Sequence, residues 1–351
     1  MKMNSEHTLR WLVRAGLLSG PLLGVFWPEA LEPQVATRLL PAVLHSFTLG
    51  VFVPLFIYRL TQENLGLKRL TPWISLLLAV GLSGFLIGLL SGNRWFFYLG
   101  GHYAAPSALY LLSLQAGVGA WKGRKTQGLH QLGWISFGLF VAANLGGMLV
   151  LDRFYGGKYG FYSPHAVLAH GSGAVFLFLF PFLAHQVNQA KALKWVLGVG
   201  SLSYAGYLVG WLSESPWGFG VACCGAALLM LFVAFGDLGV GAGAKLQKVG
   251  WIVASIVAGL TPFAGRLAVL PNQWLLGLGL YLFLGLSAPL LVTKSGIFGP
   301  GSHRTLFVST AIGVGGMLGL LGAAGLPLVG GFVAYGLLWA WWLLPRKTLG
   351  A

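Results

Sequence analysis

The amino-acid sequence predicts an all-α, polytopic integral membrane protein of about twelve transmembrane helices with its N- and C-termini cytoplasmic. Three observations carry this. Of the 351 residues 56% are hydrophobic and 8% charged, whereas soluble domains carry about 25% charged residues. Twelve apolar runs approach the roughly 20 residues that cross a bilayer. Seventeen of the 22 Lys and Arg residues fall on one side of the alternation those runs create, as cytoplasmic loops should. The 54 glycines fit close helix approach in lipid. The formal charge of +15 reads as this loop bias, so nucleic acid is not an expected partner; the lipid bilayer is.

The runs, in order, are 10–27, 36–58, 71–91, 95–121, 130–151, 164–187, 193–213, 216–236, 249–268, 271–293, 305–325 and 327–345. The first follows Arg10 and Arg14, is interrupted by Pro21 and has no small-residue cleavage motif, so it is expected to be a retained anchor. The second ends at Arg59, and Lys68 and Arg69 precede the third. The fourth lies between Arg94 and Lys122. The fifth leads into the longest outer loop, Asp152 to Tyr162, whose aromatic rings suit the membrane interface or a periplasmic partner. The last two spans are divided near Pro327. No linker or low-complexity tract interrupts the chain, so residues 1–351 form one integral membrane domain in this expectation.

Three histidines lie inside these runs at similar depth. His45, His102 and His170 sit on the order of 10 Å below the outer ends of spans two, four and six. Polar groups in hydrocarbon need partners and mark functional sites. Neutral imidazole ligates heme iron, copper or zinc, so the three are candidate ligands of one cofactor or metal ion. Without one, each would bond a neighbouring carbonyl or hydroxyl and help pack helices. His165 is a further candidate near the boundary of span six. It is five residues from His170, about 140° away around the helix, so the two do not face one point. His7, His130, His185 and His303 fall at helix ends or in loops. Cys223 and Cys224 are adjacent, about 100° apart, and do not readily share an ion. Asn144 and Met148 approach the same depth, where Met148 reads as packing. No carboxylate lies at mid-membrane, which argues against proton-coupled pumping. No phosphate-binding, dinucleotide or zinc-protease motif is present.

The segment Leu44-His45-Ser46-Phe47-Thr48-Leu49-Gly50 resembles the second-helix signature of bacterial membrane proteins related to heme-copper oxidase subunit I. These include the nitric-oxide-response family NnrS and short oxidase-like relatives. His45 and Gly50 match that spacing, twelve spans match the oxidase core, and the His165/His170 segment resembles a later histidine-bearing helix of the short relatives. The resemblance implies a heme b site, or copper as the alternative, using His45 with His102 or His170. The oxidase copper-binding histidine trio has no counterpart, and 271–293 holds no histidine, so a complete oxidase is not expected.

The expectation is therefore a bacterial inner-membrane protein binding heme b or copper near the periplasmic face. It would act in electron transfer or in handling nitric oxide or another small gas, with a periplasmic redox partner or membrane-complex subunits as partners. The alternatives are a small-molecule transporter or permease, and a cofactor-free membrane anchor subunit of a larger complex.

Overall fold

The computed structural model describes residues 5–25, 41–123, 130–186, 190–236, 242–263 and 283–298, apart from positions 43, 64, 66, 214, 216, 286, 289 and 293. Within them the chain is all-α. The helices are α1 (Ser5–Val25), α2 (Leu44–Gln62), α3 (Thr71–Ser91), α4 (94–122), α5 (His130–Phe154), α6 (164–186), α7 (Ala190–Leu212), α8 (Trp217–Ala234), α9 (Ala242–Leu260) and α10 (Phe283–Val292). Six stretches among the described residues are long and apolar enough to cross a membrane: Leu44–Gln62, Lys68–Ser91, Gln131–Phe154, His165–Ala184, Lys194–Leu212 and Trp217–Ala234. This is a multi-pass membrane protein. Spans 305–325 and 327–345, the C-terminus and most of 271–293 lie outside the described residues.

Local chemistry sets the boundaries. α3 ends at Gly92, whose φ of 73° reverses the chain, a conformation glycine adopts without a Cβ clash. Asn93 then caps α4, its side chain accepting from the Trp95 and Phe96 amides. Ser163 caps α6 by accepting from the Ala166 amide, with Pro164 at the first turn, where a missing N–H costs nothing.

Neighbouring antiparallel helices make the broadest contacts, α4 with α5, α7 with α8 and α8 with α9. The hydrophobic effect drives little of this in lipid, so small residues and interhelical hydrogen bonds take its place. A Cβ on Gly81 of α3 would lie 2.5 Å from the Ala105 amide nitrogen of α4, so only glycine permits that approach. Ser113 and Ser136 tie α4 to α5 reciprocally, each hydroxyl donating to the other's carbonyl at 2.8 and 2.7 Å. Ser255 donates to the Ala227 carbonyl at 2.8 Å, joining α9 to α8. α2 and α6 are the most enclosed, each 67% buried over its apolar window against 33% for α7, which puts α2 and α6 inside the bundle and α7 toward its edge. Trp73, Trp95, Trp121, Trp195 and Trp217 stand exposed near helix ends, as membrane-interface rings do.

Candidate functional site: a cavity framed by three π turns

The three helices that carry the intramembrane histidines share a distortion. α2 opens into a π turn at Thr48–Phe52, α4 at Leu99–Ala104 and α6 at Ala174–Leu179. The Val53, Ala105 and Phe180 amides bond five residues back, to the Thr48, Gly100 and Val175 carbonyls. A proline follows each turn by two residues: Pro54, Pro106 and Pro181. Proline lacks the amide needed to bond the carbonyl four residues earlier, and its ring clashes with that carbonyl. Widening the preceding turn relieves the clash and re-aims the side chains there.

All three π turns line one cavity of about 150 Å³ between α2, α4, α5 and α6. Its wall is almost wholly apolar, with Phe85, Leu139, Ala143, Leu149, Phe178 and Leu179 among its residues. Against this background the polar groups are few: His45, Thr48, His170, Arg153 and Tyr162. Thr48 is satisfied within its helix, donating to the Leu44 carbonyl at 2.9 Å.

Two of the three histidines come together. The His45 and His170 rings lie 5.9 Å apart between centroids, with planes 12° apart. His45 Nδ1 donates to the Pro41 carbonyl at 2.7 Å. That fixes the tautomer and leaves the Nε2 lone pair for another donor or an ion. Phe85 packs on the ring at 4.7 Å. The buried Nδ1 of His170 has no hydrogen-bond partner in the protein. Gly146 of α5 holds this ring in place: a Cβ there would lie 2.8 Å from His170 Cε1.

His102 does not line the cavity. Its Nδ1 donates to the Gly147 carbonyl at 2.8 Å, and its ring stacks on Tyr98 at 5.1 Å, 10° from parallel. The consecutive glycines of α5 thus receive different histidines, Gly146 against His170 and Gly147 against His102. His165 is exposed, and it is its backbone carbonyl that accepts from the Tyr207 hydroxyl at 2.8 Å. Among the described residues no group of three His, Cys, Asp or Glu side chains could hold a metal ion. Met148 is exposed, Asn144 donates to the Phe140 carbonyl at 2.8 Å, Cys223 is buried and Cys224 exposed. The side chains of His130 and His185, and all of His303, lie outside the described residues.

The end of the cavity toward the 155–162 loop is built on Asp152 and Arg153. Asp152 is buried at 1% exposure, and its carboxylate accepts from the Tyr159 and Tyr162 amides at 2.7 and 2.5 Å. Gly156, Gly157 and Gly160 supply the positive φ angles of that tight loop. Arg153 turns the other way, into the cavity wall. Its guanidinium lies 5.4 Å from the centroids of both Phe97 and Tyr162 and donates to the Tyr162 hydroxyl at 3.2 Å.

Sequence reasoning placed His45 and His170 here but passed over Arg153, Tyr162 and the π turns. A signal for the turns was present: in each histidine-bearing span a proline follows the histidine by four to eleven residues. No family model, no curated protein and no solved structure matches this chain.

Proposed function

We propose that this chain is a small-molecule carrier, taking a compact and largely apolar ligand into the cavity between α2, α4, α5 and α6. The observation that carries this reading is the pairing of an apolar wall with two histidines on helices broken by π turns. A void near 150 Å³ is the size of the engineered cavity that accepts benzene or xenon, and π turns recur at functional sites. Interrupted helices around a central cavity are also how transporters place binding groups at mid-membrane. In this reading the chain crosses the membrane about twelve times as a single domain with both termini inside, supported by the seventeen-to-five partition of its basic residues.

A carrier exposes one wall to each side of the membrane in turn. The test replaces Cys223 and Cys224 by Ala and introduces Ala142→Cys or Ala174→Cys. A membrane-impermeant thiol reagent applied to sealed vesicles of each orientation is expected to label these positions from both faces. Labelling from neither face, or from one face alone, overturns the carrier.

A second reading rests on the His45 tautomer. An imidazole whose Nδ1 is tied to a carbonyl presents Nε2 as metal ligands do. Two nitrogens about 2.0–2.1 Å from a shared ion place ring centroids about 5 Å apart at a tetrahedral angle and about 6 Å apart as the angle opens toward linear, a range that includes the 5.9 Å observed. His45 and His170 therefore suit one soft ion such as copper, and His102 would take no part. A cavity of about 150 Å³ favours a bare ion over heme b, since a porphyrin belongs with the drug-sized ligands whose pockets run about 300–1,000 Å³. Electron transfer or gas handling, as in the oxidase-like proteins the His45 segment resembles, would need copper here. Metal analysis of unstripped protein tests it, and a metal-free, colourless preparation removes it.

A further inference from the structure

Among the described residues, Arg153 is the one Arg or Lys lining the mostly apolar cavity, and no carboxylate lies within ion-pair distance of it. Its neighbour Asp152 is committed to the loop amides, and among the described residues no Asp or Glu lines the cavity. The guanidinium is held between Phe97 and Tyr162, and one of its nitrogens is bonded to the Tyr162 hydroxyl. Among the described residues the remaining donors have no acceptor of opposite charge. The N-terminus of α6 opens beside Tyr162, with Val167 of its first turn in the same wall, and adds positive potential.

We infer that the cavity binds a small organic monocarboxylate, its carboxylate on Arg153 and its apolar body directed toward His45 and His170; this rests on the carrier reading. Arg153 lies seven residues beyond Gly146, the residue packed on His170. At 1.5 Å per residue that is roughly 10 Å, room for a ring or a short chain between head and histidines. A planar guanidinium matches a carboxylate in two parallel bonds. A single cation also limits the ligand to one negative charge. A dianionic phosphate would keep an uncompensated charge against apolar walls, which costs several kcal/mol. The His170 Nδ1 that lacks a partner meets the far end of the ligand, where a polar substituent would satisfy it.

The probes are benzoate and benzamide, nearly equal in shape and different in charge. Binding of each, radiolabelled, is measured to the full chain in lipid nanodiscs. Because charged hydrogen bonds contribute about 1.5–3 kcal/mol, benzoate is expected to bind at least about tenfold tighter than benzamide. R153Q should bring that ratio to about one by weakening benzoate alone, and R153K should keep part of it. Equal binding of the two probes to the unsubstituted protein overturns the inference without needing any variant, as does a preference that survives R153Q. Binding of neither probe also overturns it. The carrier reading is judged separately by the two-sided labelling of Ala142→Cys, so the two can fail independently.

Discussion

His170→Leu separates a ligand-binding histidine from a packing histidine. The buried Nδ1 of His170 has no partner, and a buried polar atom left unsatisfied costs about 1–3 kcal/mol. Leucine removes that atom and keeps an apolar body of similar size against Gly146. Removing that atom predicts a variant as stable as the parent, or more stable by about 1–3 kcal/mol. The control is His45→Leu. There Nδ1 is bonded to the Pro41 carbonyl at 2.7 Å and neither ring nitrogen is a buried atom without a partner, so the same substitution destabilises by about 0.5–1.5 kcal/mol. Reversible unfolding in mixed micelles of increasing denaturing-detergent fraction measures both. The expected pattern is opposite signs for the two histidines, with ligand binding weakened in each. A loss above about 2 kcal/mol in His170→Leu with binding unchanged would mean the ring is a structural strut, and the reasoning about its orphaned nitrogen would be wrong.

Four other outcomes follow from the same geometry and from the topology. Gly146→Ala forces a Cβ to 2.8 Å from the His170 ring, so it should destabilise by about 1–3 kcal/mol and lower ligand affinity. Gly147→Ala meets nothing closer than 3.6 Å and should be neutral or stabilising by about 0.5–1 kcal/mol in the same unfolding assay. Asp152→Asn weakens two amide contacts of the carboxylate, each worth about 1.5–3 kcal/mol, and should speed hydrogen exchange and proteolysis within residues 155–162 while leaving α5 protected. In a background with Cys223 and Cys224 replaced by Ala, Thr126→Cys should react with impermeant reagent only from the cytoplasmic face and Lys158→Cys only from the outer face.

Much of the fold is written as lengths of apolar chain and their punctuation. The expected span 71–91 coincides with Thr71–Ser91, because Gly92 and Asn93 end one helix and cap the next within two residues. The expected 130–151 and 216–236 fall on His130–Phe154 and Trp217–Ala234. The site was only half legible. Depth along a span follows from counting residues, so His45, His102 and His170 were recognisable as neighbours in level. Direction around the helix does not follow once a turn is widened. His102 lies inside a π turn, where an inserted residue shifts the face by about 100°, and it points at Gly147 rather than at the other two. Arg153 was read as an outer-loop charge, since a sequence does not show that Asp152 turns to the loop and leaves its neighbour facing the cavity. Pro54, Pro106 and Pro181, one in each histidine-bearing helix, were the sequence trace of the distortions that shape the wall.

The most direct measurement on the central claim is an experimental structure of the protein under xenon pressure, since xenon enters dry cavities of this size whatever their natural ligand. The account predicts a xenon site among His45, Phe85, Phe178 and His170, lost when Gly146→Val fills that space. A bundle with side chains closing the gap between α2, α5 and α6, and xenon elsewhere or nowhere, would contradict it.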